Sequence, residues 1–359
     1  TASTWATNVV MDVTPADPAH LYTLHAIGNT HYIYKTSNSG QTWTLVNSGT
    51  GFVNYNWGFY RHEFEISDNS TSVMYAGTNT LVKSTNSGSS WTSTSQYYPQ
   101  SPGQSSTHAD IRGIANLGYQ NGEDKLVMIN DGGIAKTSNS AGSWANLNGP
   151  GLAITDFFSM DAFWGSDRLV GGAIHNGTFL KAGNTWTPFA VKGDGDWNEV
   201  DHNSADQQVC YSINNGTISK STNGGVSYNS LPTQPENFFE LGQRIHISPV
   251  DHNKVYHAFK NAHYYDNSTG NWTTIFTKEA LDNTGSSARA IKVAPSNDQV
   301  IYLAFDGCTW GNSSDNYKFY RTTDGGSNWT YVNSSSFGPD LSIAVDCTAS
   351  YKMSATKNT

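Results

Sequence analysis

The sequence predicts an all-β chain of seven four-stranded antiparallel units, a seven-bladed β-propeller. Three observations predict it. A hairpin motif recurs along the chain, its aromatic anchors stand 42 to 57 residues apart, and no convincing amphipathic helix interrupts the series. That spacing is the period of a propeller blade and is too long for leucine-rich or ankyrin repeats.

The hairpin reads IYKTSNSGQTWTLVNSG from Ile33 and returns from Leu81, Ile134, Ile218 and Phe319, with worn copies from Phe179 and Tyr264. Its anchors are Trp43, Trp91, Trp144, Trp186, Tyr228, Trp272 and Trp329. Alternating residues such as Tyr32, Tyr34 and Thr36 share one face of a strand. The turn then offers an Asn or Asp side chain to backbone N–H groups, and a Gly takes up positive φ. The next strand opens with an aromatic, expected to pack back over its own hairpin. One such hairpin is marginal alone, so neighbouring blades must cover it.

Upstream of the hairpins lie further strands, for example HLYTLHA ending at Ala26, SVMYAGT at Thr78 and DKLVMIND at Asp131. Before these come innermost strands opening at Asn8, Arg61, His108, Asp156, Asp196, Gln243 and Ala288. Four strands taken seven times account for residues 8–334, within a single propeller domain over 1–359. Residues 335–359 read as closing strands or as the start of a further unit, and eight blades is the alternative count.

Composition narrows the function. Charged residues make up 14% of the 359, the net charge is -9, and only 20 Lys plus Arg are present. No basic cluster exists to displace counterions from a phosphate backbone, so nucleic acid is not an expected partner. No run is apolar enough to cross a bilayer, and membrane insertion is not expected. Aromatics at 13% argue against disorder. Of the three cysteines, Cys210, Cys308 and Cys347, at most two can pair internally, most plausibly Cys308 with Cys347.

The pattern Ser/Thr-x-Asp/Asn-x-Gly-x-x-Trp resembles the Asp-box, or BNR repeat. It stands as Thr36, Asn38, Gly40, Trp43; as Ser84, Asn86, Gly88, Trp91; and as Thr322, Asp324, Gly326, Trp329. Tyr228 closes a variant with Ser221, Asn223 and Gly225, and the copy at Thr137 and Asn139 has its Gly one place late, at Gly142. HADIRGI followed by MINDGGIAKTSNSAGSW is similar to segments of secreted bacterial Asp-box propellers related to the xyloglucanase group. Sialidases and sortilin-type receptors share the repeat. The resemblance implies an extracellular or cell-surface propeller associated with carbohydrate. Two departures matter. With six arginines and no Arg-Ile-Pro segment the chain does not match a sialidase, and HAIGNTHYIYKT supplies no counterpart to a catalytic Asp that paired-propeller xyloglucanases carry in their first blade.

Propeller sites lie where innermost strands and loops converge. His108, Asp110 and Arg112 alternate and are expected on one strand face; Asp196, Arg244 and His246 join them as candidate catalytic groups. Asp–Arg pairs satisfying one another between neighbouring strands is the competing reading. His108 and Asp110 lack a third ligand of metal-binding spacing, so no metal and no cofactor are expected. Tyr55, Trp57, Tyr97, Tyr98, Trp197 and Trp310 are candidates for stacking on sugar rings. The expected function is therefore an extracellular carbohydrate-binding or adhesion module of a larger secreted protein, its partner a polysaccharide or glycan and possibly other domains of the same chain. A polysaccharide-degrading glycoside hydrolase or lyase and a protein-binding scaffold are the alternatives.

Overall fold

A computed structural model describes residues 8–27, 30–49, 63–77, 79–95, 107–148, 152, 155–188, 193–202, 208–236, 243–278, 288–305, 308–309, 312–313, 318–332, 343–345 and 353–355. Seven four-stranded antiparallel sheets follow one another along the chain, the blade count that the repeat predicts. The first three are β1–β4 (Asn8–Val13, Leu21–Ile27, Thr30–Thr36, Thr44–Gly49), β5–β8 (Glu63–Ile66, Met74–Gly77, Leu81–Ser84, Thr92–Ser93) and β9–β12 (Ile111–Gln120, Glu123–Asn130, Gly133–Thr137, Ala145–Asn146). Blades 4 and 5 are β13–β16 (Phe157–Ala162, Leu169–Ala173, Gly177–Ala182, Thr185–Pro188) and β17–β20 (Gly195–Val200, Cys210–Asn214, Thr217–Ser221, Asn229–Ser230). Blade 6 is β21–β24 (Arg244–Ile247, Lys254–Ala258, Ala262–Asp266, Asn271–Phe276). Blade 7 combines β25 (Ala288–Ala294) and β26 (Asn297–Phe305) with β29 (Lys318–Thr322) and β30 (Thr330–Val332). Between β26 and β29 sits a minimal hairpin, β27 (Cys308–Thr309) with β28 (Asn312–Ser313), and a last pair joins β31 (Ile343–Val345) to β32 (Met353–Ala355). The chain divides into two compact units, Thr1–Thr155 and Asp156–Thr359.

Local sequence sets the turns. Asn121-Gly122 and Asn215-Gly216 are two-residue hairpin loops with positive φ at both positions, the conformation that Asn-Gly tolerates best. The recurring third-to-fourth-strand turn closes on itself. In blade 1 the Thr36 hydroxyl donates to Asn38 Oδ1 at 2.8 Å and accepts the Gly40 N–H at 3.0 Å, while Asn38 Oδ1 accepts the Thr42 N–H at 2.9 Å. The same bonds recur around Ser84 and Asn86, Ser221 and Asn223, and Thr322 and Asp324. Blade 3 shows how the turn tolerates its late glycine. Ala141 occupies the Gly40 slot at φ +67°, its N–H bonded to the Thr137 hydroxyl at 3.2 Å, so the register is unshifted and Gly142 follows the turn's strained position.

The aromatic anchors serve two ends: the Trp91 indole N–H donates to the Gly88 carbonyl of its own turn at 3.0 Å, as expected, and anchors also reach the preceding blade. Trp91 packs against Tyr22, Leu24 and Ile33 of blade 1 together with Phe64, Ile66 and Met74 of blade 2. Trp144 joins the core shared by blades 2 and 3, Tyr228 that of blades 4 and 5, Trp272 that of blades 5 and 6, and Trp329 that of blades 6 and 7. The Trp329 indole N–H donates to the Ile275 carbonyl at 2.6 Å, across the blade boundary. Packing an apolar indole between sheets removes far more surface from water than folding it onto its own turn. Trp43 and Trp186, in the first blade of each unit, are 41% and 40% exposed.

Innermost strands are joined by a second device. An acidic side chain on one strand accepts a backbone N–H of the next. Asp12 takes the Ile66 N–H at 2.7 Å, Glu65 that of Asn116 at 3.0 Å, Asp161 that of Val200 at 2.8 Å and Glu199 that of Ile247 at 3.1 Å. Burial comes first in lifting Glu65, helped by the nearby Asp12 carboxylate, and pushes it up to about 7 against the opposing Asn116 N–H.

Two outcomes are expected. Gly326 has φ +100°, and a Cβ there would lie 2.7 Å from Ile275 Cβ of the preceding blade. Gly326→Ala should therefore cost about 2–3 kcal/mol in urea unfolding, from strain and overpacking together. For Glu65, the folded protein holds a proton that the unfolded chain releases near its ordinary value, so stability falls as pH rises from about 4.5 to about 7. Glu65→Gln should flatten that fall by on the order of 1–2 kcal/mol, after allowance for partial exposure, in melts taken at pH 5 and pH 8.

Candidate functional site

In each four-stranded sheet the first strand begins, and the fourth strand ends, at the end that carries the second-to-third-strand turn. In the first unit this end brings together Asn79, His108, Asp110, Arg112 and Asp131. Asp131 sits in the β10–β11 turn, where Asn130 faces Gly133. The Arg112 guanidinium holds both of its oxygens, Nε to Oδ1 at 2.6 Å and Nη2 to Oδ2 at 2.8 Å. Gly132 lets the entering segment lie on this turn, since a Cβ there would come within 2.4 Å of His108 Cβ. The His108 Nδ1 is 3.0 Å from the Ala109 carbonyl.

Asp110 precedes β9 at φ +62°, so His108 and Asp110 do not alternate along a strand with Arg112 as the sequence suggested. A tight bend brings them to the site instead. It is pinned to blade 2: the Asp110 N–H donates to the Asn79 carbonyl at 2.9 Å and Asn79 Nδ2 donates to Asp110 Oδ1 at 3.1 Å. One carboxylate oxygen of Asp110 and one of Asp131 lie within 4.8 Å of each other. Asp131 and Asn79 were not among the sequence candidates. The signal for Asp131 was its Asp-Gly-Gly turn, which leaves the carboxylate at a tip where a backbone closely approaches.

The second unit places the other candidates in blade-to-blade pairs. Asp196 and Arg244 are 2% and 5% exposed and 3.9 Å apart. The Arg244 guanidinium lies over the rings of Trp197 at 4.5 Å and Phe158 at 5.3 Å, and Asp196 also accepts the Gln243 N–H at 3.1 Å. One face of Trp197 is thus covered by a cation, and the residue packs at the edge of the core of blades 5 and 6. His246 bonds Glu199 through Nδ1 at 2.7 Å, and Lys292 Nζ is 3.1 Å from the same nitrogen. Although burial works to raise it, Glu199 is held below its ordinary value by the His246 bond and charge, by Lys292 and by the Ile247 N–H. These groups bind neighbouring inner strands to one another. Tyr55, Trp57, Tyr97, Tyr98 and Trp310 lie outside the described residues, as do Cys347 and the side chain of Cys308. Cys210 is a buried free thiol, pushed up to about 11 by burial, against which the Tyr228 hydroxyl bond works.

No family model and no curated protein matches the chain. Among solved structures, an ancestral GH74 enzyme is similar over 91% of this chain and 58% of its own length, with 15% identity and a TM-score of 0.50. The GH74 enzyme of Niastella koreensis aligns over 94% of this chain and 61% of its own, at 15% identity and a TM-score of 0.32. YCF48 from Cyanidioschyzon merolae aligns over 82% and 91%, at 15% identity and a TM-score of 0.31. The chain spans less than two thirds of either GH74 enzyme. With its seven four-stranded sheets, the likeness to the ancestral enzyme assigns this chain the β-propeller fold.

The Arg112–Asp131 pair, with side chains 32% and 14% exposed, has bidentate geometry. A double-mutant cycle with Arg112→Ala and Asp131→Ala should return a coupling of about 1–2 kcal/mol in urea unfolding, above that of an ordinary surface pair.

Proposed function

We propose that this chain is an extracellular polysaccharide-binding propeller module, with sugar contacts at the loop-bearing end of blades 2 and 3, and that its self-bonded turns are Asp-boxes. One observation carries the reading: Asp110 and Asp131 present carboxylate oxygens within 4.8 Å of each other, on two turns fixed by Asn79 and Arg112. Sugar hydroxyls are recognised by closely spaced, immobile acceptors and amides, and neighbouring hydroxyls on one ring match such a pair. Arg112 already grips both oxygens of Asp131, which suits a fixed acceptor better than a group that must exchange a proton. The small number of Lys residues and the polar Ser, Thr and Asn-rich composition support placement outside the cell, where the module would belong to a larger secreted protein.

Hydrolysis is the second reading, favoured by the same separation, since glycosidases work with two carboxylates flanking the scissile bond. A panel of soluble polysaccharides separates the two. Retarded migration in one polysaccharide gel, weakened about tenfold or more by Asp131→Asn or Asp110→Asn, without new reducing ends, is the expected result. New reducing ends that vanish in Asp110→Asn would replace binding by hydrolysis, and unsaturated uronate absorbance would replace it by elimination. Unretarded migration with every polysaccharide would exclude the carbohydrate reading and leave the protein-binding scaffold.

A further inference from the structure

The β13–β14 turn of blade 4 lies at the end of the sheet opposite the β14–β15 turn. Phe163 in this turn is 2% exposed, but the adjacent Trp164 is 65% exposed. The turn holds itself rigid. The Phe163 N–H donates to the Arg168 carbonyl at 3.0 Å, and the N–H and hydroxyl of Ser166 donate to the Phe163 carbonyl at 3.3 and 3.1 Å. Arg168 lies over the Phe163 ring at 5.0 Å and donates to the carbonyls of Asn223 and Gly224 in blade 5.

Among the described residues, one ring backs the Trp164 indole. The His202 imidazole stacks on it with centroids 4.3 Å apart and planes 21° apart. His202 Nε2 is 3.5 Å from Asp161 Oδ1, and Asp161 is itself fixed by the N–H groups of Ala162 and Val200, both at 2.8 Å. A scattered surface aromatic needs no explanation. An indole held outward by a closed turn, a buried neighbour and a stacked imidazole is a prepared surface, because the ordering cost of binding has been met in folding.

We infer that Trp164 and His202 form a second sugar-stacking platform, which takes the C–H face of a pyranose ring of a neutral polysaccharide on the open side of the indole. A flat aromatic face matches the apolar face of a sugar ring. Asp161 and Asp167 bracket Trp164 in sequence, and the Arg168 guanidinium is turned towards blade 5 carbonyls. Acidic charge beside the indole disfavours uronates and leaves neutral sugars as the matching class. The inference rests on the polysaccharide reading above but places a contact at the other end of a blade.

The test titrates cellohexaose, mannohexaose and chitohexaose into the whole chain by calorimetry, with Trp164→Ala, Trp164→Phe and Asp131→Asn alongside and circular dichroism confirming each fold. Expected is binding of at least one hexasaccharide, weakened about tenfold or more by Trp164→Ala and less by Trp164→Phe. Wild-type affinity in Trp164→Ala with a loss in Asp131→Asn would overturn the platform and leave the first site standing. Failure of all three sugars to bind the wild type would overturn the platform, while the polysaccharide gels decide the first site separately.

Discussion

Everything else in this structure depends on how one innermost strand is tied to the next. A sheet of four short strands has two faces to cover and little aliphatic bulk to cover them with. Within each unit the inner strands lie side by side without forming a common sheet, so their backbone N–H groups need acceptors from elsewhere. Asp12, Glu65, Asp161 and Glu199 supply them, each from the strand before. The arrangement fixes the angle at which a blade is set, and with it the position of every turn at the blade's end. It also explains why the chain's few ionisable groups concentrate on these strands. A carboxylate there is first a structural acceptor, and burial with a neighbouring acid, as at Glu65, is the cost of using charge for that purpose.

The architecture was legible because the repeat states it directly: five hairpins are nearly identical in sequence, and two worn copies fall where the spacing requires them. Partners across blade boundaries were not legible. Nothing in a single hairpin says that Trp91, whose N–H bonds its own turn, also packs on the core shared with blade 1, or that Trp329 bonds the Ile275 carbonyl of the blade before. At blade 3 counting residues placed Gly142 one step late, and the structure adds what that entails: the turn's bonds keep their register and Ala141 takes the positive φ.

At the candidate site, sequence located the neighbourhood and mistook its construction. Alternation suggested a strand face for His108, Asp110 and Arg112, but Asp110 comes to the site by a bend pinned to Asn79. Asp131 escaped notice because its importance is relational: an Asp-Gly-Gly turn is ordinary until another carboxylate arrives within 4.8 Å. In the second unit, Asp196 with Arg244 and Glu199 with His246 are as conspicuous in sequence as the first group, and the structure uses them between strands. Ionisable residues on inner strands therefore do not sort themselves by type.

The direction of the blade contacts has a consequence for how the chain is made. The aromatics of blades 2, 3, 5, 6 and 7, and the close glycine at Gly326, rest on the blade before, while the inner-strand acids accept an N–H from the blade after. A blade leaving the ribosome thus docks its aromatic on a surface already synthesised, and its inner-strand acid is left for the next blade to complete. Each docked blade in turn becomes the template for its successor. Within a unit, assembly can advance from the N-terminal side one blade at a time, with most contacts spanning about one repeat and little loop entropy to overcome at any step. The same polarity makes the first blade of each unit the seed on which the rest is laid down.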